Sequence, residues 1–326
     1  MQPNFLYNMD NVLISCAGGP AAVGAIKSLK QINFKGNIVT IDCDPLAVGR
    51  YLSDINYVVP LSSSKNYWDE VLNIIKKEKI TMILPTGDSD IKHFSKNEKQ
   101  LNELGAVVFM SNYDSIIKCQ DKQLFFDCCY PKFPLPFTSS NYKDLKFPMF
   151  AKPEYGSGSR GVKICNKISD IKTLDKEESV HRSSNYIFQE YLPGQEYTVD
   201  VLCDLDSNPL IVVPRKRLQI KAGISSKGQT IKHKKIENLC KKLCIYLKLK
   251  GPVCIQLKDD SKGNPKFIEV NPRLGGGTYF ATLAGVNFLD LMLKIRNKQE
   301  YSIPDFKEIT VLRYYEEIVI QELRNK

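Results

Sequence analysis

The chain has 326 residues, 43% of them hydrophobic and 25% charged, an ordinary globular composition that suits two or three compact units rather than one small core. Lys and Arg number 46 against 36 Asp and Glu, a formal charge of +10 spread along the chain, which favours anionic small molecules such as nucleotides; no aromatic-basic motif points to nucleic acid. Ten scattered cysteines without a Cys-X-X-Cys pair argue for reduced thiols in a cytoplasm, and the sequence shows neither a secretory leader nor an apolar run near the roughly 20 residues of a membrane span.

Taken in chain order, Asn11–Cys16 reads as a strand, Ala17–Gly24 as a glycine turn leading into a helix, and Gly36–Asp42 as a second strand ending in acid. That is a β-α-β unit with a Rossmann-like look. The turn reads Gly-Gly-Pro-Ala-Ala-Val-Gly rather than Gly-X-Gly-X-X-Gly, so a plain doubly wound scaffold is preferred to a dinucleotide site. Further strands are expected at Tyr57–Pro60, Thr81–Pro85 and Val107–Met110, with an amphipathic helix at Tyr67–Lys77. Asp88 and Asp90 follow a buried strand, where ligands collect in open α/β sheets; either both hold a substrate amine or hydroxyl, or Asp88 or Ser89 caps a helix.

A helical pattern covers Lys118–Phe126, and the proline-rich Pro131–Pro136 reads as a linker. Phe147–Pro153 then enters a loop of three glycines and two serines around Arg160, preceded by Lys152. Such a loop either exposes N–H groups to phosphate oxygens or is a mobile hairpin turn. Tyr186–Leu202 gives two strand-like segments about the Pro193-Gly194 bend, flanked by Glu190 and Glu196. Backbone groups there can meet an adenine edge and Glu196 can accept from ribose hydroxyls; the alternative is a pair of solvated strand-end glutamates. Arg215, Lys216, Arg217 and Lys221 follow a strand at Pro209–Pro214, forming either an anion-facing row or a solvated face. Helices are expected at Lys234–Leu249 and Phe280–Leu293, and a last strand at Ile309–Tyr315.

The chemistry concentrates in the C-terminal part. Gly251–Lys258 alternates like a strand and is joined to Phe267–Asn271 by a turn-rich segment, so the two read as an antiparallel hairpin with Gln256 beside Glu269. Alternation sends Glu269 and Asn271 to one face and Val270 to the other. Gln256, Glu269 and Asn271 then offer oxygen donors to one hard cation, for which Mg²⁺ is suited because it accepts waters or substrate phosphates in its remaining positions. The bland alternative is a buried polar edge strand followed by a flexible loop at Arg273–Gly277.

The order of these signals resembles the ATP-grasp superfamily. An α/β domain, Asp121-Lys122, Lys152 before Gly156–Gly161, the run Gln189–Glu196, Gln256 and Glu269-Val270-Asn271-Pro272-Arg273 are most similar to a single ATP-grasp unit of the carbamoyl-phosphate synthase large subunit, from about Val12 to Tyr315. The resemblance implies a Rossmann-like pre-ATP-grasp domain (1–115), a linker and start of the grasp (116–145), a lid subdomain (146–192) and a C-terminal subdomain with the metal site (193–326), α/β overall and α+β in the C-terminal part. By the same resemblance Lys122 and Lys152 contact ATP phosphates, and Gly156, Ser157, Gly158, Ser159 and Gly161 fold over them. Glu190, Tyr191 and Leu192 serve adenine and Glu196 the ribose. Gln256, Glu269 and Asn271 hold Mg²⁺ or Mn²⁺, and Arg273, with Lys152, acts on the transferred phosphoryl group. Arg215, Arg217 and Lys221 are the looser candidates for the acyl-phosphate or acceptor side.

This chain departs from the pattern in two ways. It has room for one unit where the synthase resembles two in tandem, and Gln256 is neutral where many relatives carry a carboxylate, leaving Glu269 as the sole anionic ligand. The activity implied is an ATP-dependent carboxylate-amine ligase working through an acyl phosphate, with small-molecule carboxylate and amine substrates, a homodimer compatible, and no nucleic acid or membrane. The alternatives are an ATP-binding regulatory protein without ligase chemistry and a stand-alone carbamoyl-phosphate-synthase-like phosphorylating subunit.

Overall fold

The computed structural model describes residues 10–156, 161–177 and 186–320, with side chains of the helix Ile168–Glu177 described to Leu174. The chain forms two compact units: the described part of Met1–Met110 with Arg273–Phe306 and the described part of Tyr315–Lys326, and Ser111–Pro272 with Lys307–Tyr314.

In the first unit, β1 (Val12–Ser15), β2 (Ile38–Asp42), β3 (Ile55–Val58), β4 (Met82–Leu84) and β5 (Val107–Val108) pair in parallel in the order β3-β2-β1-β4-β5. The four residues of β1 are fully buried, as a central parallel strand covered on both faces requires. Helix Pro20–Gln31 starts with Pro at its first turn, where no intrahelical N–H is needed, and buries Ala21, Ala22, Ala25, Ile26 and Leu29. The helix at Tyr67–Lys77 matches the sequence reading, with Asp69 and Glu70 in its first turn and Lys76 and Lys77 in its last, favourable to the helix dipole.

The later segment completes this unit. Ser28 and Thr282 hydroxyls meet at 2.9 Å, and Asn287 donates to the Ser28 carbonyl while accepting from the N–H groups of Leu289 and Asp290. Where one helix was expected over Phe280–Leu293 there are two, Tyr279–Leu283 and Phe288–Arg296, because Gly285 takes φ +107° and Asn287 caps the second.

The second unit carries two antiparallel sheets. The smaller has β6 (Thr138–Ser139), β7 (Met149–Pro153), β8 (Lys163–Cys165) and β9 (Tyr186–Glu190) in the order β6-β9-β7-β8. The larger has β10 (Glu196–Cys203), β11 (Pro209–Lys221), β12 (Ile224–Thr230), β13 (Gly251–Asp259), β14 (Pro265–Asn271) and β15 (Thr310–Leu312) in the order β14-β13-β10-β11-β12-β15. Alternation divides its faces: Tyr197, Val199, Val201, Val253, Ile255 and Val270 enter a core with Ile236, Cys240, Leu243 and Cys244 of the helix Lys234–Tyr246. Glu196, Thr198 and Asp200 point the other way. All ten cysteines are free thiols and seven are buried, so most serve as small apolar residues.

Three expectations are corrected here. The helical pattern at Lys118–Phe126 is the junction of two helices, Tyr113–Gln120 and Lys122–Cys129, because Asp121 has extended ψ and caps the second by accepting from the Leu124 N–H. The stretch Pro131–Pro136 is no exposed linker, since Phe133 and Leu135 are buried in the core of the second unit. The last strand is confined to Thr310–Leu312, the residues that pair with β12.

Candidate functional site

Between the two sheets of the second unit lies a cleft whose lining includes Lys122, Lys152, Gly156, Glu190, Tyr191, Leu192, Glu196, Arg217, Gln256 and Glu269. These residues span 148 positions of sequence, and the sheet registers bring them together. The hairpin β13–β14 places Gln256 directly opposite Glu269, with a register shift just after Gln256. Its turn is tied by Asp260, which accepts from the Lys262 and Asn264 N–H groups, and by Gly263 at φ +76°. Thr198 of β10 sits across from Gln256 on one side and Arg215 on the other.

Lys152 leaves β7 into a nearly closed environment, 6% exposed, and donates to the Ile268 carbonyl at 3.1 Å. Burial is the main reason its ammonium is held down to about 8; the nearby Glu269 carboxylate opposes that shift and the Lys122 charge adds to it. Lys122 donates to the Gly156 carbonyl at 2.8 Å and to the Glu154 carbonyl at 3.4 Å, so it grips the entrance of the glycine loop. Tyr155 bonds to Asp121 beside it. Gly156 and Gly161 have φ of +131° and +69°, conformations that suit glycine. Ser157, Gly158, Ser159 and Arg160 lie outside the described residues.

Glu190 ends β9 with its carboxylate on Lys266, at 2.7 and 2.8 Å, and its N–H on the Phe137 carbonyl. The bend that follows is fixed by Gly194, whose N–H meets the Asp259 carbonyl at 3.0 Å; an added Cβ would stand 2.6 Å from Asp259 Cβ. Glu196 pairs with Arg217 at 2.6 Å, Arg217 reaches Gln256 Oε1 at 3.5 Å and donates through Nη2 to the Gly223 carbonyl at 2.7 Å.

The structure does not bring every candidate to the cleft. Arg215 is 2% exposed and pairs with the fully buried Asp200 at 2.8 Å, outside the lining residues. Lys221 is exposed at the end of β11 and outside them as well. Asn271 is buried on β14 two residues beyond Glu269, also outside the lining. Arg273 groups with the first unit, where its Nε and Nη2 donate to the two oxygens of Asp88. Asp88 is therefore an ion-pair partner, and Asp90, first residue before the helix Ile91–Lys96, makes no side-chain cap. Its buried carboxylate accepts from Cys16 and Tyr67, and burial pushes its pKa up.

Sequence reasoning missed the apolar wall. Phe150 and Ile164 face each other across β7 and β8, and with Val162, Leu192 and Ile220 they line the cleft. Ile164 and Ile220 are 44% and 42% exposed, large apolar surfaces converging on one opening. The signal lay in the alternation of β7, where Phe150 and Lys152 share a face. Lys258, over the Tyr191 ring at 5.8 Å, was missed too.

The donors Gln256, Glu269 and Asn271 supply oxygen only, with one formal anion, which fits a hard cation whose remaining positions go to phosphate. Among the described residues no group of three or more His, Cys, Asp or Glu could hold a metal, so amide oxygens are needed for such a site. No described helix is long and apolar enough to cross a membrane.

Two antiparallel sheets enclosing a lysine-lined cleft, in a chain that also carries a parallel α/β unit, give an ATP-grasp fold. Residues 182–318 match the family described as "ATP-grasp in the biosynthetic pathway with Ter operon", and residues 12–109 match the PylC-like N-terminal domain. In particular the chain resembles one unit of the carbamoyl phosphate synthase large chain: that of Clostridium beijerinckii is 28% identical over 317 residues, covering 88% of this chain. The match is 28% of that protein's own length, so this chain spans less than a third of the curated relatives it matches. Solved structures agree on the fold. The biotin carboxylase domain dimer of Hydrogenobacter thermophilus 2-oxoglutarate carboxylase, described with MgADP, ADP and bicarbonate, aligns with TM-score 0.71 at 16% identity over 92% of this chain and 72% of its own. N5-carboxyaminoimidazole ribonucleotide synthetase in complex with ADP aligns with TM-score 0.73 at 14% identity, over 93% and 81%.

Proposed function

We propose that this protein is an ATP-dependent ligase that joins a carboxylate to an amine through an acyl phosphate. The observation that carries the reading is the convergence, in one cleft, of a buried lysine, a second lysine at the glycine loop, the Gln256–Glu269 cross-strand pair and an apolar wall. Phe150, Ile164 and Leu192 would sandwich the base, with the backbone of the Glu190–Leu192 segment meeting its edge. Glu196 would take the ribose hydroxyls, and Lys122 and Lys152 the phosphates.

In this reading a carboxylate oxygen attacks the γ-phosphorus, ADP leaves, and an amine then displaces phosphate from the acyl carbon. Gln256, Glu269 and Asn271 would hold Mg²⁺ or Mn²⁺, which would supply charge neutralisation at the phosphates. The protein's share is positioning and electrostatics: Lys152 meets charge on the moving phosphoryl group, Arg273 is assigned to the same task on the family resemblance alone, and no protein nucleophile takes part. Arg217 stays on the cleft side, whereas the burial of Arg215 against Asp200 favours a role in holding the sheet.

The test is ADP release screened over amino acids, sugar acids and small peptides, with hydroxylamine added to trap an acyl phosphate as its hydroxamate. Glu269→Gln is expected to lose on the order of 10²-fold in turnover. Mg²⁺-dependent ATP binding with no carboxylate-dependent ADP release would favour the regulatory alternative.

A further inference from the structure

Arg217 occupies an unusual position in the cleft. Its Nη1 meets Glu196 Oε1 at 2.6 Å and Gln256 Oε1 at 3.5 Å, and its Nη2 is anchored on the Gly223 carbonyl at 2.7 Å. Gly223, at φ +74°, belongs to the turn between β11 and β12, so the hairpin end holds the guanidinium through a backbone carbonyl. The Arg217 side chain is 5% exposed and that of Glu196 21%. Such a pair in the wall of a cleft is screened far less by solvent than a surface one.

The pairing divides the Glu196 carboxylate. Oε1 is taken by Arg217, which leaves Oε2 as the acceptor for an incoming hydroxyl. The same guanidinium touches the amide of Gln256, whose oxygen is the one directed at Arg217. A residue that only neutralised Glu196 could be a lysine. The planar fork spreads these contacts over two nitrogens, Nη1 for the carboxylate and the amide oxygen and Nη2 for the backbone carbonyl, where an ammonium would have to gather all three around one point. The arrangement also leaves Arg217 Nε buried with no hydrogen-bond partner among the described residues.

We propose that Arg217 is a positioning residue that sets selectivity for the ribose 2′-hydroxyl, by fixing Glu196 Oε2 toward the sugar while tying that carboxylate to Gln256. The inference rests on the reading of the cleft as an ATP site. It differs from a direct anion contact, because Arg217 acts through Glu196 and not on the phosphates.

The test compares ATP with 2′-deoxy-ATP, each with Mg²⁺, by calorimetric titration of the full chain and of its Arg217→Met, Arg217→Lys and Glu196→Gln variants. The wild-type protein is expected to prefer ATP about tenfold or more. Arg217→Met and Glu196→Gln should each bring the ratio to about one, and the double variant should lose no more than either single one. Arg217→Lys keeps the charge without the fork and should bind ATP while losing most of the preference, which keeps the test open if the methionine variant does not fold. An unchanged ratio in a folded Arg217 variant, or equal weakening of both nucleotides, overturns the proposal and leaves the ATP site standing. A wild-type protein that binds no ATP removes the site reading and this inference with it.

Discussion

Arg273 and Asp88 meet in a two-point ion pair, Nε to Oδ1 at 2.7 Å and Nη2 to Oδ2 at 2.6 Å, across 185 residues of sequence. The remaining guanidinium nitrogen, Nη1, donates to the Leu274 carbonyl at 3.1 Å, so the side chain is held on three sides. The parallel sheet of the first unit thus supplies, from the loop after β4, the carboxylate that orients the arginine proposed to act on phosphoryl transfer.

If that orientation matters, Asp88→Ala should lower turnover by roughly 10- to 100-fold while changing the KM for ATP little. The pair is 15% and 24% exposed, and its loss should cost on the order of 1 kcal/mol or less of stability after solvent screening. Steady-state ADP release together with a thermal melt separates the two effects. A variant that melts early and turns over normally when folded would make Asp88 a merely structural partner.

How much of this was legible in sequence differs from residue to residue. Alternation and a turn-rich connection were enough to set Gln256 beside Glu269, because a hairpin's register is a local property. Arg215 and Arg217 could not be told apart. They lie two positions apart on one face of β11, and what separates them is the partner across on β10, Asp200 for one and Glu196 for the other. That pairing depends on a register between strands joined by a separate turn. Phe133 and Leu135 were hidden for a similar reason, since prolines announce a change of direction but not what the residues between them pack against.

The Asp200–Arg215 pair gives the second prediction. Both side chains are almost wholly out of solvent, so removing Arg215 takes the cation at 2.8 Å from a buried carboxylate that still has the Arg313 charge nearby. Arg215→Met should cost about 1–3 kcal/mol in urea unfolding, and ATP affinity of the protein still folded should stay within about twofold of wild type. A stable Arg215→Met protein that binds ATP and fails only in acceptor-dependent turnover would return Arg215 to the substrate side.

Lys152 predicts a pH dependence. Its folded pKa, about 8, lies below the ordinary 10.5, chiefly through burial. The unfolded chain therefore holds more protons between those values, and this lysine makes stability rise with pH across that window, having been a penalty below it. Nucleotide binding runs the opposite way, because phosphate favours the charged amine. ATP affinity should fall as pH rises above about 8, with proton uptake on binding, and Lys152→Met should bind more weakly and lose that slope. Titration calorimetry from pH 7 to about 9.5, in buffers of different ionisation heat, reads both. A pH-independent wild-type affinity would remove Lys152 from the phosphate contacts.

The bend at Gly194 supplies the last prediction. It joins β9 to β10, and so sets how Glu190 and Leu192 on one side of the cleft stand against Glu196 on the other. Gly194 donates to the Asp259 carbonyl, while the Asp259 N–H returns to the Gln195 carbonyl, so two chain segments are clasped at close range. A Cβ at 194 would approach Asp259 Cβ to 2.6 Å and its carbonyl oxygen to 2.8 Å, and a backbone cannot swing aside as a flexible side chain can. Gly194→Ala must therefore open the clasp and move the bend. ATP affinity is expected to drop about tenfold with far-UV circular dichroism unchanged. Wild-type ATP affinity in Gly194→Ala would mean that the bend does not shape the nucleotide cleft.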